Sequence, residues 1–312
     1  MPKLLILLLA TLCTLGLPAA DSKTKSTNPK SAGDTLQERI LESQKAFNRR
    51  EYRKALDIIN SEFAKLGENA EVYMFRGTLH AAIASEAGAS EAAMMFYDKA
   101  VQDFSKVIKL SPHAAAPKQS RGYAYQERGS AYFRSGKIEE SIKDWDKFIS
   151  FHPRQEPYHW QRGIAHYYAG QYEKGRQQFE LHQTVNSADV ENAVFHFICT
   201  AKSLGLERAK KDFIPIKGDR RVPMMEIHGL FAGSTKVEDV IAAAEKGEGL
   251  RLNYQLFYAH YYIALYFESH GDDEKARNHV MKAAAYAPLS NYMGDCARVH
   301  KMLLLRRDKA KK

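Results

Sequence analysis

One stretch decides the fold of this chain: residues 125–153 read YQERGSAYFRSGKIEESIKDWDKFISFHP. Three small residues, Gly129, Gly136 and Ser141, come first in this stretch. The bulky residues Trp145 and Phe148 follow, and Pro153 ends it. A small residue lets two helices approach closely, and a glycine just beyond a helix ends it, because glycine adopts a positive φ at no steric cost. Proline cannot continue the interior of a helix. The stretch therefore predicts a helix, a tight turn and a second helix that packs back against the first.

The spacing of these residues is that of the tetratricopeptide repeat (TPR), a helix–turn–helix unit of about 34 residues. Other copies place small or aromatic residues in the same register, in chain order Leu36, Ile40, Phe47, Tyr52, Ala55 and Ile59; Tyr73, Gly77, Ala100, Phe104 and Pro112; Gly163, Gly170 and Phe179; and Gly271, Ala276, Ala283 and Pro288. Several copies in one register predict an all-α fold, a TPR-type solenoid of stacked helix pairs.

The pattern divides the chain into five segments. We predict a signal peptide at 1–20, a disordered linker at 21–35, N-terminal TPR repeats at 36–188, an irregular helical segment at 189–250, and a C-terminal TPR with a capping helix and basic tail at 251–312. The second repeat carries about eleven extra residues between its halves, which predicts either lengthened helices or a looped insertion.

Apolar periodicity also predicts individual helices in the last two segments. They are expected at residues 190–204, 207–213, 224–231, 236–246, 253–270 and 290–306. The last of these is amphipathic, as a helix that covers the open end of a solenoid must be.

The first twenty residues predict export. Lys3 precedes an apolar run from Leu4 to about Leu17, and the small residues Ala19 and Ala20 follow. Secretory signal peptides have this order of positive, apolar and small residues, with cleavage expected after Ala19 or Ala20. An uncleaved anchor is the alternative, although the run is shorter than the roughly 20 residues that span a bilayer. We therefore expect a periplasmic or extracellular protein of the cell envelope, without a transmembrane helix after cleavage.

The cysteines leave one alternative open. Cys13 is not predicted to carry a lipid, because the bulky Leu12 precedes it. Cys199 and Cys296 fit no metal-binding spacing and are predicted to be buried thiols. A disulfide between them is the alternative in an oxidising compartment.

The formal net charge of +9 is partly concentrated at the C-terminus, in Arg306, Arg307, Lys309, Lys311 and Lys312. A basic protein often binds nucleic acid, but export argues against that partner. Anionic lipid headgroups, wall polymers or an acidic protein would also suit such a tail, and a solvated tail without a partner is the simplest interpretation.

The sequence contains no motif that predicts catalysis. It has no HExxH, no Gly-x-Ser-x-Gly, no phosphate-binding loop and no dinucleotide fingerprint. Its histidines, such as His159 and His166, stand where a TPR places interface or surface residues. We therefore predict no enzyme activity, no cofactor and no metal site.

The stacked first helices of TPR units line a groove in which peptides commonly dock. The repeat register places there Tyr123, Gln126, Ser130, Phe133 and Arg134 from one copy and Trp160, Ile164, Tyr167 and Tyr168 from the next. Exposed aromatic and arginine side chains often dominate binding energy, so these residues are the predicted partner-binding groove. The alternative is that Trp160 and Tyr168 pack against a neighbouring repeat. Gln126 and Ser130 stand where a carboxylate clamp needs Lys and Asn, so a chaperone-tail receptor is not predicted.

An Arg-Gly pair recurs in three repeats, at Arg76, Arg128 and Arg162. We expect each arginine to pack its stem against the repeat and to pair its guanidinium with an acidic residue. A ligand-binding role is the alternative.

A nearer resemblance rests on four segments. They are RGIAHYYAG at 162–170, the stretch 226–233, FYAHYY at 257–262 and GDDEKA at 271–276. In their order, the chain resembles the NlpI-type cell-envelope lipoproteins over roughly residues 120–305. The resemblance implies a non-catalytic adaptor, often dimeric, that holds an envelope protease and brings cell-wall hydrolases to it. The chain departs from that family in lacking a lipidation signal and in its insertion after Gly77.

The sequence thus predicts an exported adaptor that binds proteins in the cell envelope. The alternative is a surface-associated structural protein held by its basic tail to anionic polymers or lipids. Whether the chain forms a homodimer is left open.

Overall fold

The computed structural model describes residues 32–111, 118–289 and 291–310. The predicted signal peptide, most of the predicted linker, Pro112 and the last two lysines lie outside these ranges. Within them the chain forms fifteen α-helices and one 3-10 helix and has no β-strand. The all-α fold class predicted from the repeats is confirmed.

The helices run from end to end of the described chain. They are α1 (Ala32–Asn48), α2 (Tyr52–Leu66), α3 (Ala70–Glu86), α4 (Glu91–Leu110), α5 (Lys118–Arg134), α6 (Ile138–Phe151), a 3-10 helix (Pro153–Tyr158), α7 (Trp160–Tyr168), α8 (Tyr172–Gln183), α9 (Val190–Leu204), α10 (Leu206–Lys211), α11 (Met224–Ala232), α12 (Val237–Ala244), α13 (Gly249–Ser269), α14 (Asp273–Tyr286) and α15 (Tyr292–Ala310).

Helices that follow one another pack in pairs, as TPR units do. The pairs are α1/α2, α3/α4, α5/α6, α7/α8 and α13/α14. Helix α9, of which ten residues are buried, packs against α7, α8, α11 and α13 and so occupies the centre of the C-terminal half. Helix α15 packs on α14 and also contacts α5, which joins the end of the chain to its middle.

A glycine in the first helix of three pairs lies under an aromatic ring from the second. The three combinations are Gly77 with Phe104, Gly129 with Trp145, and Gly163 with Phe179. A methyl group on any of these glycines would stand within 2.8 Å of the ring. The three rings are almost fully buried. The close helix approach predicted from the repeat is therefore confirmed, and it explains why the position must be small.

The extra residues of the second repeat lengthen its helices. Helices α3 and α4 contain 17 and 20 residues, and only residues 87–90 connect them. Of the two alternatives, lengthened helices are confirmed and a looped insertion is wrong. Continuous helix satisfies every added backbone group internally, whereas a buried loop would leave such groups unpaired.

The Arg-Gly arginines pair with acidic residues, as predicted. Arg76 donates to both carboxylate oxygens of Asp103, at 3.0 and 2.6 Å. Arg128 does the same with Asp144, at 2.7 and 2.8 Å. Each aspartate is buried, and the two parallel hydrogen bonds compensate the loss of its hydration.

The third arginine of the series has two acidic neighbours instead of one. Arg162 lies 3.3 Å from Asp146 and 3.1 Å from Glu156, and both partners are far more exposed than the aspartates of the other two pairs. All three arginines thus pair with acidic residues, but Arg162 has two partners, both more exposed, instead of one buried aspartate.

Both cysteines in the described chain are buried and free. The buried-thiol interpretation is confirmed. Burial raises the pKa of each thiol, because the charged thiolate loses its hydration. Neither thiol is therefore activated as a nucleophile.

The glycine under Trp145 gives a direct test of the packing. Gly129→Ala places a Cβ 2.7 Å from the indole Nε1 and should lower the free energy of unfolding by about 1–3 kcal/mol. Gly218→Ala is the matched control, because nothing lies within 4 Å of its added methyl. Urea unfolding of both variants measures the effect. Equal stability of the two variants would contradict the packing described here.

Candidate functional site

Helix α15 covers the surface formed by the first helices of two repeats. The ring of Tyr292 stacks on Phe133 at 5.4 Å and meets Trp160 edge-on at 4.9 Å. Arg134 donates to Asp295 at 2.8 Å. The C-terminal helix therefore seals much of the predicted groove with apolar and charged contacts of its own.

This arrangement corrects one expectation about the predicted groove residues. Four of these residues are at most 8% exposed, namely Phe133, Ile164, Tyr167 and Tyr168. The repeat register predicts exposed side chains at these positions. The reason is that a capping helix with its own aromatic residue lies on this surface.

The remaining predicted residues contact neighbours in the same repeat or the next one. Tyr123 is half-buried against Phe148 and His152. The side-chain oxygen of Gln126 lies 2.7 Å from Nε2 of His159. Trp160 is half-buried as well, at the edge of α15, so part of its ring stays exposed.

A tyrosine network fixes α15 to the molecule. The Tyr168 hydroxyl lies 2.8 Å from that of Tyr261 and donates to the carbonyl of Cys296 at 3.1 Å. The Tyr167 hydroxyl donates to Glu268, which also lies 2.9 Å from Nε2 of His300. Burial alone would raise the pKa of Glu268, but His300 and the Tyr167 hydroxyl hold it below its ordinary value.

A cavity of about 310 Å³ opens beside the start of α15. Five aromatic side chains line it, namely Trp160, Phe179, Phe195, Tyr258 and Tyr292. Its polar lining includes Asp189, Glu191, Asn192, Arg221 and Asn291. Aromatic walls with a few convergent polar groups are typical of a binding pocket, so this cavity is the candidate site.

Two acidic residues that line the cavity, and Asp219 outside its lining, converge on a single guanidinium. Arg221 donates to Asp219 at 2.6 Å, to Asp189 at 3.2 Å and to Glu191. The Tyr262 hydroxyl donates to the other oxygen of Glu191 at 2.8 Å. Burial raises the pKa of Glu191 to about 6 in spite of Arg221. Glu191 is therefore mostly ionised at neutral pH.

Two buried polar atoms of the cavity residues have no hydrogen-bond partner. Nδ2 of Asn192 donates to the carbonyl of Phe179 at 3.2 Å and to Gln183 at 3.0 Å, which leaves its Oδ1 unpaired. The hydroxyl of Tyr292 is unpaired as well. Because a buried polar group without a partner costs free energy, these atoms indicate where a ligand could bond.

Sequence reasoning found only Trp160 and Ile164 among the residues that line the cavity. It missed Glu191 and Asn192, in the first turn of α9, and Arg221, in the segment between two prolines. The available signal was a set of three polar residues, from Asp189 to Asn192, at the start of an otherwise apolar helix. Nothing in the repeat register relates that helix start to Arg221 or Tyr292.

The described residues contain neither a metal-binding group of side chains nor a membrane-spanning helix. No group of three or more His, Cys, Asp or Glu side chains in this part of the chain could hold a metal ion. Nor does any helix among the described ranges combine the length and the apolar character needed to cross a membrane.

Comparison with known proteins defines the class of the molecule. A family model described as bacterial transcriptional activator domain matches residues 61–189, which is less than half of the chain. No curated protein matches the sequence. A tetratricopeptide-repeat protein from Parabacteroides merdae shares the fold with a TM-score of 0.52 and 14% identity, over 86% of this chain and all of that one. The chain therefore has a TPR-like helical-repeat fold.

Two further solved structures are similar at lower scores. The MamA protein aligns with a TM-score of 0.47 and 14% identity over 57% of this chain and 88% of that one. The Rap conjugation gene regulator of the plasmid pLS20, solved in complex with the Phr* peptide, aligns with a TM-score of 0.43 and 12% identity over 90% and 84%. These matches give the likeness to the NlpI-type lipoproteins no support, and it rests on the sequence motifs alone.

Buried histidines predict how stability depends on pH. Burial lowers the pKa of His159 to about 3 and those of His166 and His260 to about 4. These side chains stay neutral in the folded chain but take up protons near pH 6.5 when it unfolds. The free energy of unfolding should therefore fall as the pH drops from about 6.5 towards 4.

His159→Gln isolates one of these groups. It should make that decline shallower by up to about 1.4 kcal/mol per pH unit, because one proton less is taken up on unfolding. Urea unfolding at several pH values measures the slope. His270→Gln, at an exposed position, is the control and should keep the wild-type slope. A wild-type slope in His159→Gln would show that this imidazole does not stay neutral.

Proposed function

We propose that this protein is an exported, non-catalytic adaptor that binds other proteins in the cell envelope. The observation that carries the proposal is a TPR-like stack with an aromatic-walled cavity where Trp160 meets the C-terminal helix. A stack of helix pairs offers a large surface without a reactive centre, which suits binding better than catalysis. The signal-peptide pattern at residues 1–20 supports export.

The resemblance to the NlpI-type lipoproteins suggests a narrower role. Such an adaptor would present a protease or a cell-wall hydrolase to its target, and it would often act as a dimer. The segments at 162–170 and 257–276 support this part of the proposal.

A second candidate function is an interaction domain in gene regulation. The match of residues 61–189 to a bacterial transcriptional activator domain favours it. The two candidates differ in where the protein works, because a regulator of transcription must remain inside the cell.

The basic tail supports a surface-attachment role less well. Arg306 donates to the carbonyls of Gly136 and Ser135, at 2.9 and 3.1 Å, so part of its hydrogen-bonding capacity is used inside the molecule. Attachment through the remaining charges predicts envelope association that is lost in high salt, since exposed charges are screened.

Location separates the two main candidates. With a C-terminal tag on the full chain, we expect the protein in the periplasmic or secreted fraction, with a mature N-terminus just after Ala19 or Ala20. Cell fractionation and N-terminal sequencing measure both. An intact protein confined to the cytoplasm would refute export and favour the role in gene regulation.

Partner binding tests the site. Mild crosslinking and capture from an envelope extract should recover a protein partner. Trp160→Ala should weaken that capture by roughly ten-fold or more, since aromatic anchors often dominate interfaces. Tyr158→Ala is the matched control, because Tyr158 is 57% exposed and does not line the cavity. Equal capture by both variants, each shown to be folded by its melting curve, would remove the cavity from the proposal.

A further inference from the structure

The cavity beside α15 differs in charge from the rest of the chain. The sequence carries a formal net charge of +9. At the cavity, however, the two lining carboxylates, of Asp189 and Glu191, share the single guanidinium of Arg221, which also pairs with Asp219 outside the lining. No lysine lines the cavity. A locally negative site in a positive molecule attracts a positively charged ligand and disfavours an anion.

One unpaired atom of the cavity residues requires a ligand that donates a hydrogen bond. Asn192 is 3% exposed, and its Oδ1 can only accept a hydrogen bond. The orientation of the Asn192 amide is fixed, because its nitrogen donates to the backbone carbonyl of Phe179. A flipped amide would place its oxygen against that carbonyl, which has no hydrogen to donate. A ligand that satisfies Oδ1 must therefore bring an N–H or O–H donor.

The walls suit a charged group on an apolar stem. Trp160 and Tyr292 meet edge-on at 4.9 Å, and Tyr258 lines the same cavity. Aromatic faces attract cations, and the attraction grows when the cation is partly removed from water. The ring edges and faces also cover the methylene groups of a long side chain.

Size and geometry favour one basic side chain over a larger ligand. A cavity of about 310 Å³ stands at the lower end of the range of pockets that hold whole small molecules. A guanidinium is planar, stacks on aromatic rings and presents five N–H donors to carboxylates, whereas an ammonium offers three donors from one point. The site therefore suits arginine better than lysine.

We propose that this cavity receives an arginine side chain of a partner protein. The guanidinium would bond to Asn192 Oδ1 and the carboxylate of Glu191, with its stem against Trp160 and Tyr292. This inference rests on the proposed adaptor function and names the chemistry of the segment that the adaptor recognises.

The test uses the two tryptophans of the chain as internal reporters. Trp160 lines the cavity, whereas Trp145 is fully buried and its Nε1 donates to the carbonyl of Gln126 at 3.2 Å. In a ¹⁵N-labelled protein the two indole N–H signals are separately visible, and Trp160→Phe assigns them. The probe is the peptide acetyl-Gly-Gly-Arg-Gly-Gly-amide, added in steps.

The Arg peptide should move the Trp160 signal saturably and leave the Trp145 signal in place. The same peptide with citrulline, which has the shape of arginine without its charge, should cause no saturable shift, and neither should a glutamate version. A lysine version should bind more weakly than the Arg peptide. No saturation with arginine, or equal shifts with citrulline, would overturn the inference.

A charge-removing variant tests the pocket side. Glu191→Gln keeps an oxygen that accepts from Tyr262 but loses the charge, and it should weaken binding of the Arg peptide by about ten-fold. Glu245→Gln makes the same change in net charge at an exposed residue outside the cavity and should bind like the wild type. Equal binding by the two variants would overturn the inference. Capture of a partner that depends on Trp160, without binding of the Arg peptide, would sink this inference and leave the adaptor function standing.

Discussion

The close contact between a glycine and an aromatic ring in three of the helix pairs is the constraint on which the structure depends. Gly129 lies so near Trp145 that even a methyl group would collide with the indole. Removing the Cβ lets the second helix approach until its ring is fully buried, and burial of large apolar surface is the main source of stability. The same contact at Gly163 and Phe179 sets the spacing of the next pair. Every later feature, including the cavity, is positioned by this stack.

The C-terminal helix turns an open stack into a closed one. Its Tyr292 inserts between Phe133 and Trp160, and Asp295 pairs with Arg134, which lies far away in sequence. An end of a solenoid without a cap would leave apolar surface in water. Here the cap lies across the predicted groove, and the cavity at the edge of the helix stays open. The contact made by Tyr292 therefore closes the stack and also forms part of the wall of the candidate site.

The side chains that line the cavity at the edge of α15 determine which ligands it can hold. Aromatic rings, paired carboxylates and an unpaired amide oxygen can hold a ligand by stacking, by charge and by hydrogen bonding. Glu191 keeps its charge at neutral pH in spite of burial, because Arg221 and Tyr262 bond to it. A buried charge held in this way is costly to arrange, because the charged groups lose their hydration. The proposed binding of a positively charged side chain rests on this arrangement.

The sequence alone determined the helix pairs, because small and aromatic residues recur at spacings that only stacked helices satisfy. It predicted helix α9 from Val190 to Leu204 and the pairing of Arg76 and Arg128 with acidic residues, since these depend on local periodicity and charge. It could not decide how α15 lies on the repeats. That contact joins residues such as Arg134 and Asp295 across 161 positions, and no periodic pattern encodes so distant a neighbour. Only the tertiary structure could therefore reveal that α15 covers the predicted groove and that carboxylates line the cavity beside it.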